Sequence, residues 1–264
     1  MATIKVMSGG APKEVFLALT AAFEKQGGHT VSYSFAVMSA LRDRLAGGEA
    51  ADVLVMPTNI LDGYEKSGVV RGKGRGVLGL VSVSAVVRAG APKPDLSSVE
   101  AVKRTLLATR NVIFSTPGAT PSGTHMGKLM ETLGIAEAMK GKTIHRPALE
   151  GGVELMASGE AELGFYPKSE VITAKGLALV GPLPAEIQLT TIYGAAVTNA
   201  SAAPDAGEAF IAFMRDPAKQ FVPMQQALAA KDVLNEYIEH NGSALFACPP
   251  GLREGGYWGD ALFA

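Results

Sequence analysis

Two long β-rich runs, Val77–Arg88 and Leu189–Thr198, constrain this chain more than any other feature. Around them, short apolar runs alternate with amphipathic helical ones. TIKVMS reads as a strand and PKEVFLALTAAFEKQGG as a helix, with Pro12 suited to its first position, Gly27 to its end, and Val15, Leu19 and Phe23 repeating every four residues. HTVSYSFAV, SALRDRLAGGE, DVLVMP and ILDGYEKSG continue as strand, helix, strand, helix. Beyond the first long run come VEAVKRTLLAT, NVIFS, a helix containing MGKLMETLG, KTIHRP, GGVELMASGE and ELGFYP, and PDAGEAFIAFMRD follows the second. This alternation predicts α/β lobes, each with a mainly parallel sheet flanked by helices. The two long runs then read as crossings, in which the chain leaves a first lobe and later returns to it. The expected division is 1–83 with 194–264 as one lobe and 84–193 as the other, with a ligand cleft between them.

At 264 residues the chain is long enough for one large domain or two modest ones. Lys and Arg total 24 against 25 Asp and Glu, with no basic stripe, which argues against a nucleic-acid partner. No apolar run reaches the roughly 18 residues of a membrane span. The single Cys248 excludes a disulfide framework and a multi-cysteine metal site. The opening MATIKVMSGG lacks the basic start and apolar stretch of an export signal, so the expected location is cytoplasmic, or periplasmic if a signal has been removed.

In open α/β sheets the ligand crevice lies beyond the carboxyl ends of the strands. The segments there are Ser8-Gly9-Gly10-Ala11, Ala36-Val37-Met38-Ser39, Met56-Pro57-Thr58, Thr116 to Thr124, and Phe165-Tyr166-Pro167. They hold small residues and hydroxyls with few charges, a lining that binds through backbone N–H groups and helix ends. In STPGATPSGTHMGK, Ser122, Gly123 and Thr124 are suited to hold a carboxylate, or simply to cap a helix. Gly9 and Gly10 allow close backbone approach, or only shape a turn. Tyr166 and Tyr193 are hydroxyl donors to a ligand or half-buried core. His125 falls in the first turn of the helix, just off the apolar face of Met126, Leu129, Met130 and Leu133. It is either a proton-transfer group or a capping histidine. Arg88 is a carboxylate partner or a surface arginine. His29, His145 and His240 have no partner spacing. There is no HExxH, Walker loop or Gly-x-Ser-x-Gly elbow, so no metal or other cofactor is expected.

These residues resemble the molybdate-binding branch of the type II periplasmic binding proteins over about residues 4–217. The likeness rests on IKVMSGGAPKEVFLAL, on VSYSFAVMSALRDRLAGGEAADVLVMP, on the proline and glycine spacing of Pro117 to Gly123, and on GEAELGF. The branch's two ligand serines fall on Ala11 and near Val37-Met38, and its tyrosine on Pro167. Ser-Gly-x-His at the helix start and GPLPAEIQ, Gly181 to Gln188, are closer to an aconitate-isomerase-like subgroup. That resemblance implies a di- or tricarboxylate ligand and a cofactor-free proton shift by His125. Ser8, Gly9, Gly10, Ala11, Val37, Met38, Ser39, Met56 and Pro57 would line the site with the residues above, and cleft N–H groups and hydroxyls would stabilise the charge. The alternative is a non-catalytic solute-binding protein for an organic anion or molybdate-like oxyanion, partnered by the membrane subunits of an ABC transporter. From Gln220 to Ala264 the chain resembles the C-terminal end of deferrochelatase-type dye-decolourising peroxidases, without their haem-ligand region.

Overall fold

The paired strands and helices are arranged in a computed structural model that describes residues 1–148, 151–172 and 174–216. In chain order the elements are β1 (Thr3–Ser8), α1 (Lys13–Gly27), β2 (Thr30–Phe35), α2 (Met38–Ala46), β3 (Val53–Pro57), α3 (Thr58–Lys66) and β4 (Gly76–Arg88). Then come α4 (Val99–Ala108), β5 (Val112–Ser115), α5 (Pro121–Thr132), α6 (Ala136–Met139), β6 (Thr143–Arg146), α7 (Gly152–Ser158), β7 (Leu163–Pro167) and α8 (Lys168–Val171). β8 (Leu177–Pro182), a short 3₁₀ turn (Ala185–Ile187), β9 (Thr190–Val197) and α9 (Pro204–Arg215) complete the described chain. It divides into two units, Met1–Val81 with the chain from Thr191, and Ser82–Thr190. The boundaries fall inside β4 and at the start of β9, so both long runs are single strands that carry the chain across.

In the first unit the strand order is β2-β1-β3-β9, with β1 parallel to both β2 and β3 and β9 antiparallel to β3. Side chains alternate between two cores, as the period of two requires. Val53 and Val55 face the core of Phe16, Leu19, Phe23 and Phe210, whereas Leu54 and Met56 face that of Met38, Leu41 and Leu61. Thus α1 and α9 cover one face and α2 and α3 the other. The rings of Phe23, Phe210 and Phe213 meet edge to face at 5.4 Å, a geometry that adds about 0.5–1.5 kcal/mol per pair beyond area burial. α1 ends at Gly27 and is capped by Gly28, whose left-handed φ of 64° lets its N–H reach the Glu24 carbonyl.

Asp52, 7% exposed, ties this unit together. Its carboxylate accepts from the Lys5 N–H at 2.9 Å, the Ser201 hydroxyl at 2.7 Å and the Ala202 N–H at 3.1 Å. Burial works to raise its pKa, and these bonds, with a further one from the Ala203 backbone, outweigh burial and hold it below the ordinary carboxylate value.

The second unit repeats the winding. β5 lies between β7 and β6 and is parallel to both, and β4 runs antiparallel to β7 and β8. Val112, Phe114, Leu163 and Phe165 face a core that includes Met126 and Leu129 of α5. Ile113 and Tyr166 face a core that includes Met156 of α7. β8 was not expected from LALVGP; it holds an edge position, opposite a register shift at Ala85/Val86.

Candidate functional site

In the first unit β1 is followed by α1 on one face and leads to β2, and β2 is followed by α2 on the other face and leads to β3. The winding reverses beside β1, and its carboxyl end is therefore the expected ligand end. Ser8, fully buried, ends β1 and donates its hydroxyl to the Gly9 carbonyl at 3.0 Å. The Gly9 N–H extends the ladder to Val55 O at 3.2 Å, and the Ala36 N–H does the same to Ser8 O at 3.2 Å. A Cβ on Gly9 would stand 2.6 Å from Met38 Cε and 3.4 Å from the Tyr193 hydroxyl oxygen, so glycine lets these side chains close over the strand end. Gly10 accepts the first turn bond from the Lys13 N–H, and Ala11 is buried. α1, α2 and α3 begin after Pro12, Val37 and Pro57, none of which offers a side-chain cap. Ser39 is half-buried in the first turn of α2, and Met56 is fully buried in the core. The ligand end of this unit thus presents three helix starts without side-chain caps, and first-turn N–H groups other than that of Lys13 are the natural donors to an anion.

The second unit is built differently at the same end. α5 begins at Pro121, earlier than MGKLMETLG suggested, so Ser122, Gly123 and Thr124 lie inside its first turn and His125 opens the second. The Thr120 hydroxyl caps the helix by accepting from the Gly123 N–H at 3.0 Å. Ser122 and Thr120 bond through their hydroxyls at 3.1 Å. Thr124 donates to the Thr120 carbonyl at 3.0 Å and accepts from the Gly118 N–H at 2.9 Å. The small hydroxyls are therefore bonded to one another and to the loop. A Cβ on Gly123 would lie 2.1 Å from the Ser115 carbonyl oxygen, so this helix sits directly on the end of β5.

His125 is half-buried, and its Nε2 donates to the Ile187 carbonyl at 2.9 Å. Ile187 belongs to the GPLPAEIQ segment, so the two sequence features singled out separately meet in one bond. In the neutral ring that tautomer leaves Nδ1 as the acceptor. Tyr166 is fully buried on the α7 side, where a Cβ on Gly152 would come within 2.4 Å of its oxygen. Among the described residues its hydroxyl has no hydrogen-bond partner. Burial first, and Glu170 second, hold this phenol well above its ordinary value, against the opposing charge of Arg146. Tyr193 is 7% exposed and packs in the α1 core.

Arg88 stands at the other end of the sheet. β4 is antiparallel to β7, so its last residue lies near the start of β7, where the guanidinium rests over Gly159. Two cations stand at the carboxyl ends of the parallel strands, neither singled out from the sequence: the buried Lys168, which follows β7, and Arg146, the last residue of β6. The signal for Arg146 was present, since KTIHRP places it at a strand's carboxyl end.

Residues 4–222 match the family described as bacterial extracellular solute-binding protein. The chain belongs to that family. Within it, the chain is 32% identical over 225 residues to an aconitate isomerase of a Pseudomonas species, covering 82% of this chain and 84% of that one. The periplasmic molybdate-binding protein of Azotobacter vinelandii shares the fold, with a TM-score of 0.67 at 20% identity over 88% of this chain and 97% of that one. A separate 59-residue match, 54% identical, is to the dye-decolorizing peroxidase of Thermobifida fusca, covering 22% of this chain and 14% of the peroxidase. The peroxidase-like tail, Gln220 to Ala264, lies outside the described residues. The family is described as extracellular, which does not support the cytoplasmic expectation. Among the described residues no helix is long and apolar enough to cross a membrane.

Proposed function

We propose that this solute-binding-family protein takes a di- or tricarboxylate and moves a proton on it, as an aconitate-isomerase-like enzyme. The observation that carries the reading is the His125–Ile187 bond. It orients the imidazole and leaves one ring nitrogen as acceptor. The relative at 32% identity over most of both chains supports the substrate class. His125 would remove a proton from a carbon next to a carbon–carbon double bond. The electron pair left behind would delocalise through the alkene onto a carboxylate. The same proton, returned at the far allylic carbon, would shift the double bond with no redox change and no other reactant. Helix N–H groups would stabilise the intermediate charge.

A second reading keeps the ligand and omits the chemistry. It is favoured by the starts of α1, α2 and α3, which lack side-chain caps and would hold an anion without any acid or base. In that case the partners would be the membrane subunits of an ABC transporter. Proton NMR in D₂O with trans-aconitate separates the two. Growth of an isomer or loss of a C–H signal, reduced at least about 100-fold in His125→Gln, fits the enzyme. Binding without exchange makes the protein a carrier. Full exchange in His125→Gln removes the histidine from the mechanism.

A further inference from the structure

The second unit's ligand end holds a cation whose placement answers a specific need. β5 is followed by α5, which covers one face and leads to β6 on one side. β6 is followed by α7, which covers the other face and leads to β7 on the opposite side. The winding therefore reverses at β5, and the open end of that strand is Ser115. Ser115 pairs in register with Arg146, and the Thr116 N–H donates to the Arg146 carbonyl at 2.8 Å. The backbone of Arg146 is thus pinned to the first residue of the loop that leads to His125. In the first unit the same register position, opposite Ser8, is occupied by Phe35. One unit carries an aromatic ring at this point and the other a guanidinium.

The face on which Arg146 projects follows from the alternation. Ile144, two residues earlier, packs in the α7-side core, so Arg146 points to that side too. Its stem runs past Gly151: a Cβ there would lie 3.5 Å from Cδ and 3.6 Å from Nε. Gly151 has φ 76°, a conformation that suits glycine and keeps this flank free of a side chain. The residue is half-buried. Nη1 donates to the carbonyl of its own neighbour, His145, at 2.9 Å. Among the described residues it pairs with no carboxylate, whereas Arg44 holds Glu49, and Arg75 holds both Asp62 and Glu65. A half-buried guanidinium at a ligand end, with no carboxylate counter-ion among the described residues, is suited to one supplied by the ligand. Its planar fork matches the two oxygens of a carboxylate.

We infer that Arg146 is the carboxylate anchor of the second unit, taking one carboxylate of the ligand by a two-bond fork. This rests on the carboxylate reading above and adds the residue that selects for that ligand class. Planar organic acids would engage the fork. A tetrahedral inorganic oxyanion held by backbone N–H groups would not depend on it.

The test is calorimetric titration of the full chain with tricarballylate, a saturated tricarboxylate with no double bond to move, and separately with molybdate. Arg146→Gln is expected to weaken tricarballylate by about 10- to 100-fold, the loss of one charge-assisted pair. Arg146→Lys, which keeps the charge and loses the fork, should fall between. Any molybdate affinity should stay within about threefold. Thermal midpoints of both variants check that the fold is intact, and if Gln proves unstable, Lys carries the comparison. Unchanged tricarballylate affinity in both variants overturns the inference while leaving the carboxylate reading standing. Wild-type protein that takes molybdate and no tricarboxylate overturns both. Equal weakening for tricarballylate and molybdate overturns the selectivity and leaves Arg146 a general anion contact.

Discussion

Gly123→Ala tests whether the position of α5 on β5 controls His125. A Cβ at this site would stand 2.1 Å from the Ser115 carbonyl oxygen, 2.8 Å from its carbon and 2.9 Å from the Thr116 oxygen. Real Cβ contacts stay at about 3.0 Å or beyond, so the deficit is about 0.9 Å. The obstructing atoms are backbone at the end of a buried strand, and no side chain can swing away. The helix start itself must move. Overpacking of this kind costs about 1–3 kcal/mol, here at the upper end, and alanine's helix preference returns about 1 kcal/mol. The expected net loss is about 2 kcal/mol. His125 lies two residues further along the same helix, and a shift approaching 1 Å would break its 2.9 Å bond to Ile187. Misplacement on that scale lowers a catalytic rate by about 100-fold. Urea unfolding followed by circular dichroism reads the stability. Nitrogen NMR of the imidazole reads the Nε2–H tautomer. Gly127→Ala is the control, since its Cβ would meet only the Pro117 side chain at 3.3 Å, and stability should stay within about 1 kcal/mol of wild type. A Gly123→Ala protein as stable as wild type, with the histidine tautomer unchanged, would refute the reasoning.

Two further predictions concern buried polar groups. Asp52 has a depressed pKa, so its contribution is present above about pH 4 and lost as the pH falls through its lowered value. Asp52→Asn should therefore be less stable by about 2–4 kcal/mol at pH 7, with the gap closing on acidification. Urea midpoints from pH 7 to 2.5 check this, and a constant gap would show that charge is not the cause. Tyr166→Phe removes a buried hydroxyl with no partner among the described residues, so stability should be unchanged or rise by up to about 1 kcal/mol. A loss of more than about 1 kcal/mol by the same unfolding assay would mean that the hydroxyl has a bound partner.

The sequence by itself determined most of the elements and the two crossings. Residues such as Leu54 and Val55, or Ile113 and Phe114, alternate between apolar faces with no polar side, which requires a strand covered on both faces. The length of β4 and β9 was legible for the same reason. β8 was not, because LALVGP is a short edge segment ending in Gly-Pro, with little local pattern to set it apart from a loop. The start of α5 was read late because Pro121, Ser122 and Gly123 are poor helix residues that are stable only in a first turn, under the Thr120 cap.

Tertiary structure alone decided which groups meet at each ligand end. Arg88 and Arg146 both end strands, and local sequence treats them alike. Strand direction separates them: β4 runs antiparallel to β7 and carries Arg88 to the far end, whereas β6 runs parallel to β5 and leaves Arg146 beside Ser115. The hydroxyls of Ser122 and Thr124 read from sequence as a ligand's donors or as helix caps, and their bonds to Thr120 and Gly118 were fixed only when the loop folded back on the helix. The bond from His125 to Ile187 joins residues 62 positions apart, a pairing that no local propensity specifies. Periodicity is set by each residue's immediate neighbours and so is written along the chain; register, strand direction and long-range bonds depend on the whole fold.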